Sequence, residues 1–547
     1  MTSSDTSEET SEPLLDEATR NVDVVIVGTG LTECILGASL SAKGKKVLHL
    51  DSNSYYGGSS ASLSLRELRD WAAEEPSESD NFVARQVNRV NLGYGRQRYL
   101  VDRSFEITDD ATLREELERY SSRFSIDLNP RILYCKSRMV DLLLESGCAA
   151  YLEFQKLKDT LMVWTAPEGG ESSSDGKSAR SQLRLSDTLT VPVTRQQIFK
   201  HKGLSLLEKR QLMKFLTSSA NLPPTLAFQS AAAVGTDTYN SIEEEQDSKI
   251  LLHRAAELDL STLPSRLVDG FKYAVCLDVD EDDWSNNKSV ELQRRLIQFV
   301  ESLQVYDSDG CAFLLPTYGT GDIVQAFARR CAVESGVHVL RCTPRSASST
   351  SEGSVEVTTE SGQVISCQHA VISADYVPSQ QSNHTISWRA VFCTDKPLLP
   401  GENQQLPYRL AVMSLPSRSA DVASPSLVSV LQTVVSHGGD KEGWWLTYFS
   451  EEGQGASLAT VQAAADALLA DTTATVLFKL FYHCVGTGRP EGVEEICPNV
   501  LRVPRPSDFS VLASDDYTEG VVPKKLLEKI LGEDDVKLFD KNIGSEN

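Results

Sequence analysis

Residues 28–33, Gly-Thr-Gly-Leu-Thr-Glu, carry two glycines at the spacing that turns a strand sharply into a helix and brings backbone N–H groups to a pyrophosphate. Asp51 follows about twenty residues later, where a βαβ unit places the acid that holds a ribose hydroxyl. The third position of the motif is Glu33, where a working site has a small residue. Its side chain adds bulk at the point where helix and strand pack closely, and a negative charge at the helix end that would receive phosphate. Two like charges ~4 Å apart repel by ~4 kcal/mol at an effective dielectric of 20, which cancels much of what a helix N-terminus offers a diphosphate. The expectation is a dinucleotide fold that holds no cofactor.

No other reactive pattern accompanies it. The sequence has no H-E-x-x-H, no G-x-S-x-G and no P-loop, so no catalytic residue is assigned. Its eight histidines stand isolated along the chain, and His49, inside an apolar run, reads as a satisfied core or interface residue. The eleven cysteines are scattered, odd in number and without a C-x-x-C pair, so they read as reduced core thiols of a cytosolic protein and no metal ligand is assigned.

The elements that must position the glycine loop are legible around it. Val24–Val27 is a short apolar run, and Leu31, Ile35 and Leu36 follow at helical spacing. Val47–Leu50, ending at Asp51, supplies the second strand. From about 108 to 300 the pattern changes to amphipathic helices, including Met139–Leu144 and Leu206–Leu216, and predicts an inserted helical domain. Residues Gly169–Ser181 and Ser346–Ser354 are Gly/Ser-rich and predict unpacked loops. Beyond 310 the β-pattern returns in Val355–Thr358, a Ser361-Gly362 turn, Val364-Ile365 and the buried run His369–Ala374. Near the end, Phe509–Leu512, a turn at Ala513–Asp516 and Leu526–Leu531 predict strand, turn and helix; Ser514-Asp515-Asp516 sets bulk and charge where a flavoprotein tends to keep small residues.

The fold class is therefore α/β, a FAD-binding-like (degenerate Rossmann-type) sheet domain with an inserted, smaller, mainly α-helical domain. The expected division is a leader over 1–20, the sheet domain over 21–107 and 302–531, the helical domain over 108–301 and a tail over 532–547. A chain of 547 residues with 40% hydrophobic residues can bury large cores. The first twenty residues lack a signal-peptide pattern, and no segment approaches ~18 consecutive apolar residues. Gly544–Asn547 has no cysteine for prenylation. A net charge of −24, from 53 basic and 77 acidic side chains, disfavours nucleic acid and permanent residence on an anionic membrane. The acidic runs Glu243–Glu245 and Asp280–Asp283 read as solvated loops.

Three blocks carry a specific resemblance: Asp23–Leu36 with its Glu33, Gly44–Asp51 with Tyr55-Tyr56-Gly57-Gly58, and Leu315–Arg329. Across roughly residues 20–375 the chain resembles the Rab GDP-dissociation inhibitor and Rab escort protein superfamily, whose signature includes that glutamate. The resemblance implies a flavoprotein-like domain that binds a GDP-bound Rab GTPase, with Tyr56, Asp322 and Arg329 on the binding platform. Asp322 is one methylene shorter than the usual glutamate, and Val337 and Val339 replace other platform residues. Without the resemblance, Tyr56 reads as a turn residue and Arg329 as a surface charge.

Phe199 and Arg210 resemble the pair with which the escort branch docks the Rab geranylgeranyltransferase α/β heterodimer; by residue type alone they read as a core aromatic and a wet arginine. The chain length points to the same branch. Membership there implies that newly made Rab is presented to the transferase, and that the prenylated product is carried through the cytosol with transient membrane contact. A C20 isoprenoid needs an apolar groove, at ~0.8 kcal/mol per buried methylene. Candidate walls are Val140, Leu143, Leu144, Leu212, Met213 and Leu216, a stripe that also reads as ordinary helical core. The alternatives are a Rab GDP-dissociation inhibitor that recycles prenylated Rabs and an amine-oxidase-like flavoenzyme.

Overall fold

The computed structural model describes residues 12–74, 85–86, 88–92, 100–157, 159–167, 183–220, 263–277, 290–303, 305–306, 311–377, 385–400, 406–416, 425–435, 443–453, 455–486, 492–504 and 520–540. The stretches 169–181, 243–245, 280–283, 509–516 and 544–547 lie outside the described residues.

Val24–Val27 is buried along its whole length, as a strand must be when both faces of a parallel sheet are covered. It sits centrally in a six-stranded sheet ordered Val337–Leu340, Val47–Asp51, Val24–Val27, His369–Ile372, Val500–Arg502, Glu494–Cys497. The first five strands run parallel, and only the last pair is antiparallel. Helices Leu31–Ala42, Thr320–Val333 and Val522–Leu531 share one apolar core on one side of this sheet, with Ile26, Leu36, Phe327 and Leu527 buried together. Val25, Val27, Ile372 and Val357 form the core on the opposite side. That side is covered by a five-stranded antiparallel sheet containing Pro344–Ser349, Val355–Thr359 and Val364–Cys367.

The loop expected at Ser346–Ser354 is in its first part a strand: Ser346–Ser349 pairs with Val355–Thr358, and only the residues after it turn. Small side chains misled the pattern here. Ala347 is fully buried and Ser346 nearly so, because a residue of that size fits between two close sheets.

A second sheet of eight strands is ordered Leu183–Thr190, Thr160–Pro167, Arg409–Leu415, Ser426–Val435, Trp444–Glu452, Thr385–Thr394, Val476–Gly486, Leu100–Ile107. Helix Leu458–Ala470 packs on one face, where Val461, Ala465 and Leu468 meet Phe392 and Phe449. The other face shares the largest core with helices Leu65–Ala73, Leu206–Ala220 and Val290–Ser302. The segment expected to be helical thus also supplies two long strands. Leu183–Thr190 alternates in polarity at a sheet edge, with only Leu189 fully buried among its side chains, and so gives a weak pattern.

Candidate functional site

The glycine loop is built as its residue types require. Gly28 holds φ at +110°, and a Cβ there would lie 2.8 Å from Ser373 Cβ. Gly30 caps the helix without a side-chain hydrogen bond. The Glu33 side chain is not wedged between helix and strand as its position in the motif suggested. It folds back over the loop, so that a Cβ on Gly30 would lie 2.5 Å from its Oε2. The carboxylate occupies the place where a phosphate would meet the helix N-terminus. Glu33 is 5% exposed and bonded to Ser373, and burial raises its pKa, with Asp51 adding to the rise.

Close helix–strand packing has passed to Gly37, one turn later. A methyl group there would overlap Nε2 of His49 on the adjacent strand. An isolated glycine inside a helical pattern was the signal for this role.

Asp51 is equally committed. Thr29 donates to its Oδ2 at 2.6 Å, the backbone and side-chain nitrogens of Asn53 donate to Oδ1 at 2.9 Å each, and Tyr376 donates at 3.2 Å. Burial raises its pKa even against these bonds. The space left between Gly30, Glu33, Gly58, Arg131, Ser373 and Pro504 measures about 50 Å³, against the ~300–1,000 Å³ of an ordinary ligand pocket. These residues do not fit a dinucleotide.

The same loop instead carries the next one. Gly57 N–H donates to the Thr29 carbonyl at 3.1 Å and faces its hydroxyl at 3.3 Å, which fixes the Tyr55-Tyr56-Gly57-Gly58 turn. Gly57 has φ +108°, and a Cβ there would lie 2.9 Å from Ala61 Cα, so the turn needs glycine. Tyr56 is half-buried, its ring edge-on to His338 at 5.8 Å, and burial raises its hydroxyl pKa.

Asp322 and Arg329 lie on helix Thr320–Val333, seven residues apart and thus on one face. The start of that helix is locked. Thr320 N–H donates to Asp127 at 2.8 Å, Gly321 N–H donates to the Ser62 hydroxyl at 2.7 Å, and Ser62 itself donates to Asp127. Burial raises Asp127 to about 6 against these stabilising bonds. Asp322 is half-buried and its pKa is raised, by burial first and Glu153 second. Arg329 is exposed and stacks over the Tyr151 ring at 4.4 Å.

The histidines are not isolated in space. His49 and His338 stack at 4.3 Å, with Cys331 beside them. Burial holds both imidazoles neutral, lowering His49 and pushing His338 down to about 4. His49 does lie in the core, but its Nε2 has no partner among the described residues. Sequence reasoning had no route to this cluster, because its members are 49, 331 and 338.

Phe199 stands on a short helix and Arg210 on the longer one that follows it. Arg195–Lys200 opens with a capping box of Thr194 and Gln197, and Leu206–Ala220 packs beside it. Phe199 is 73% exposed, so the core placement that its residue type alone suggests does not hold; Leu206 and Leu207 are 87% and 66% exposed. Lys209 ties the pair by donating to the Phe199 carbonyl at 3.1 Å, and Arg210 is exposed beyond it.

The six candidate wall residues do not line one groove. Val140 and Leu143 are buried beside the helices of the parallel sheet, whereas Leu212 is buried and Met213 half-buried in the core under the eight-stranded sheet. Leu144 is 62% exposed. Leu216 lies in helix Leu206–Ala220, with its side chain outside the described residues.

The parallel sheet with its glycine loop defines the class as a dinucleotide-type α/β fold, and the comparisons give the family. The profile of the family described as "GDI: GDP dissociation inhibitor" matches residues 17–92 and 103–453, so the chain belongs to that family. The match reaches well past residue 375. "Rab escort protein 1" of Arabidopsis thaliana is 32% identical over 340 residues, 60% of this chain and 55% of the relative, so the chain spans little more than half that relative's length. "Rab proteins geranylgeranyltransferase component A 1" of Caenorhabditis elegans is 28% identical over 436 residues, 75% of this chain and 76% of that protein. The crystal structure of the Rab GDI of Plasmodium falciparum aligns over 94% of this chain and 99% of its own, with TM-score 0.60 and 18% identity, which establishes the shared fold. Among the described residues no helix is long and apolar enough to cross a membrane.

Proposed function

We propose that this protein is an escort: it binds a newly made, GDP-bound Rab GTPase on the parallel-sheet domain and presents it to the Rab geranylgeranyltransferase heterodimer. It then carries the prenylated product through the cytosol to a membrane, and it performs no bond chemistry of its own. Tyr56, Asp322 and Arg329 form the Rab platform, and Phe199 with Arg210 docks the transferase. The observation that carries the escort reading over that of a dissociation inhibitor is the exposure of Phe199 at 73% beside Leu206 and Leu207. An aromatic anchor with an arginine at its rim is what a protein interface hot spot uses, and an inhibitor that never meets the transferase has no need of it. The names of the relatives from Arabidopsis and Caenorhabditis support the same branch.

The prenyl chain needs an apolar contact that is free to open. Of the wall candidates whose side chains are described, Leu144 keeps that exposure, and half-buried Met213 is the next. A flavoenzyme reading has against it the Glu33 carboxylate over the glycine loop and the internally bonded Asp51.

The deciding experiment is geranylgeranylation of a Rab substrate by the purified heterodimer with and without this protein. Prenylation that depends on the protein and falls in Phe199→Ala is expected. Rab binding without any gain in prenylation would return the chain to the inhibitor branch, and a stoichiometric flavin absorption band in the purified protein would overturn both.

A further inference from the structure

We propose that Tyr151 positions Arg329 for the GTPase: its ring holds the guanidinium in place while the N–H groups stay free for an acidic side chain of the partner. The inference rests on the Rab platform proposed above and adds a residue to it.

Arg329 and Arg330 are neighbours on helix Thr320–Val333 and are used differently. Arg330 is half-buried and paired with Glu334 at 2.8 Å. Arg329 projects from the exposed face, and its side chain makes no hydrogen bond or ion pair among the described residues. What holds it is Tyr151, whose ring centre lies 4.4 Å from the guanidinium carbon. An aromatic face attracts a cation without using its N–H donors. They remain available in the planar fork that matches a carboxylate.

Tyr151 is carried to that place by a turn built on the same helix. It ends the 3₁₀ turn Cys148–Tyr151, and the buried Cys148 thiol donates to the Ala326 carbonyl at 3.6 Å, about one helical turn before Arg329. On the other side of Tyr151, Thr317 N–H donates to the Glu153 carbonyl at 2.9 Å, just ahead of the paired strands Phe154–Leu157 and Phe313–Pro316. Glu153 is near enough to Asp322 to add to the rise that burial gives its pKa. Residues 151–153 thus run beside both charged residues of the platform helix. An arginine on an exposed helix face gives up many rotamers when a partner takes hold of it, and ordering it in advance spares the complex that cost. Tyr151 loses little itself, because it is only 38% exposed and its segment is anchored at both ends.

The test is titration of GDP-loaded, unprenylated Rab with the full-length protein and its variants, each first checked for an unchanged melting curve. Arg329→Ala should weaken binding at least about ten-fold and flatten its salt dependence, as loss of a charge pair does. Tyr151→Ala should weaken it about two- to five-fold, and Tyr151→Leu, which keeps apolar bulk without a π face, should do the same even if the alanine variant fails to fold. Tyr151→Phe should bind as the parent does. In the Arg329→Ala background Tyr151→Ala should add nothing, because the group it positions is gone. Unchanged binding by Arg329→Ala would remove the platform and this inference with it. Where Arg329→Ala does weaken binding, three results overturn the positioning role alone: Tyr151→Leu as tight as the parent, Tyr151→Phe as weak as Tyr151→Leu, or an undiminished Tyr151→Ala effect in the double variant. A salt dependence in Arg329→Ala as steep as the parent's would overturn the acidic partner group.

Discussion

The glycine loop and the helix pair around Phe199 are both places where a ligand could be expected, and they treat their side chains in opposite ways. Around the loop the two carboxylates of the motif are turned inward. Glu33 is bonded to Ser373, and Asp51 accepts from Thr29, Asn53 and Tyr376. In the helix pair an apolar ring, which water disfavours, is left outside at 73% exposure. A site that has satisfied its own polar atoms has little left with which to bind, whereas one that leaves an aromatic unburied gains by covering it. The contrast supports the proposal that the first region is scaffold and the second an interface, although only the first carries a recognisable ligand-binding motif.

The contrast breaks most visibly at Phe199. Phe199→Ala should weaken transferase binding by at least ~2 kcal/mol, about thirty-fold, as loss of a hot-spot anchor does, while the melting temperature stays within a degree or two. Calorimetric titration and thermal melting separate the two effects. A large fall in stability instead would mean that the ring is part of the core. The opposite behaviour is expected of Gly37→Ala, whose methyl group meets His49. It should cost ~1–3 kcal/mol of stability by overpacking, read as a lower denaturation midpoint, and an unchanged midpoint would show that helix and strand separate easily.

A smaller, pH-shaped effect belongs to Asp127. Its folded-state pKa of about 6 lies above the ordinary 3.8, so the folded state holds the proton more tightly. The stability this gives is complete below pH ~4 and is lost as pH rises through about 6. Asp127→Asn keeps an oxygen to accept from Ser62 and Thr320 and removes the titration, so denaturation midpoints measured from pH 4 to 7 should lose that component; identical profiles would refute the assignment. The smallest effect is expected at Glu33→Gln, which keeps the side chain over the loop without its charge. Its midpoint should stay within ~1 kcal/mol of the parent, and the protein should remain colourless with added flavin, since Asp51 stays internally bonded. A yellow, flavin-loaded variant would mean that charge alone had closed the loop.

The parallel strands around Gly28 were legible because strands buried on both faces are continuous apolar runs, and the helices beside them because their apolar stripe repeats. Position 33 announced a departure from the ligand-binding motif. Ser346–Ser349 and Leu183–Thr190 were not legible, the first because small residues mimic a loop and the second because a sheet edge needs little apolar character. Residues 376–500 gave no motif, and they hold the centre of the eight-stranded sheet, from Thr385 to Gly486.

By itself, then, the sequence determined the βαβ unit, the family and the loss of a small residue at the third motif position, since all three rest on types and spacings within a few dozen residues. Only the tertiary structure decided that Glu33 bends over the loop, that Gly37 takes over close packing, that Val140 and Leu212 belong to separate cores, and that His49 and His338 meet. The first two turn on how side chains settle within one unit, and the last two on elements far apart in the chain. A local pattern records which face of an element is apolar, and it carries no record of which distant element will cover that face.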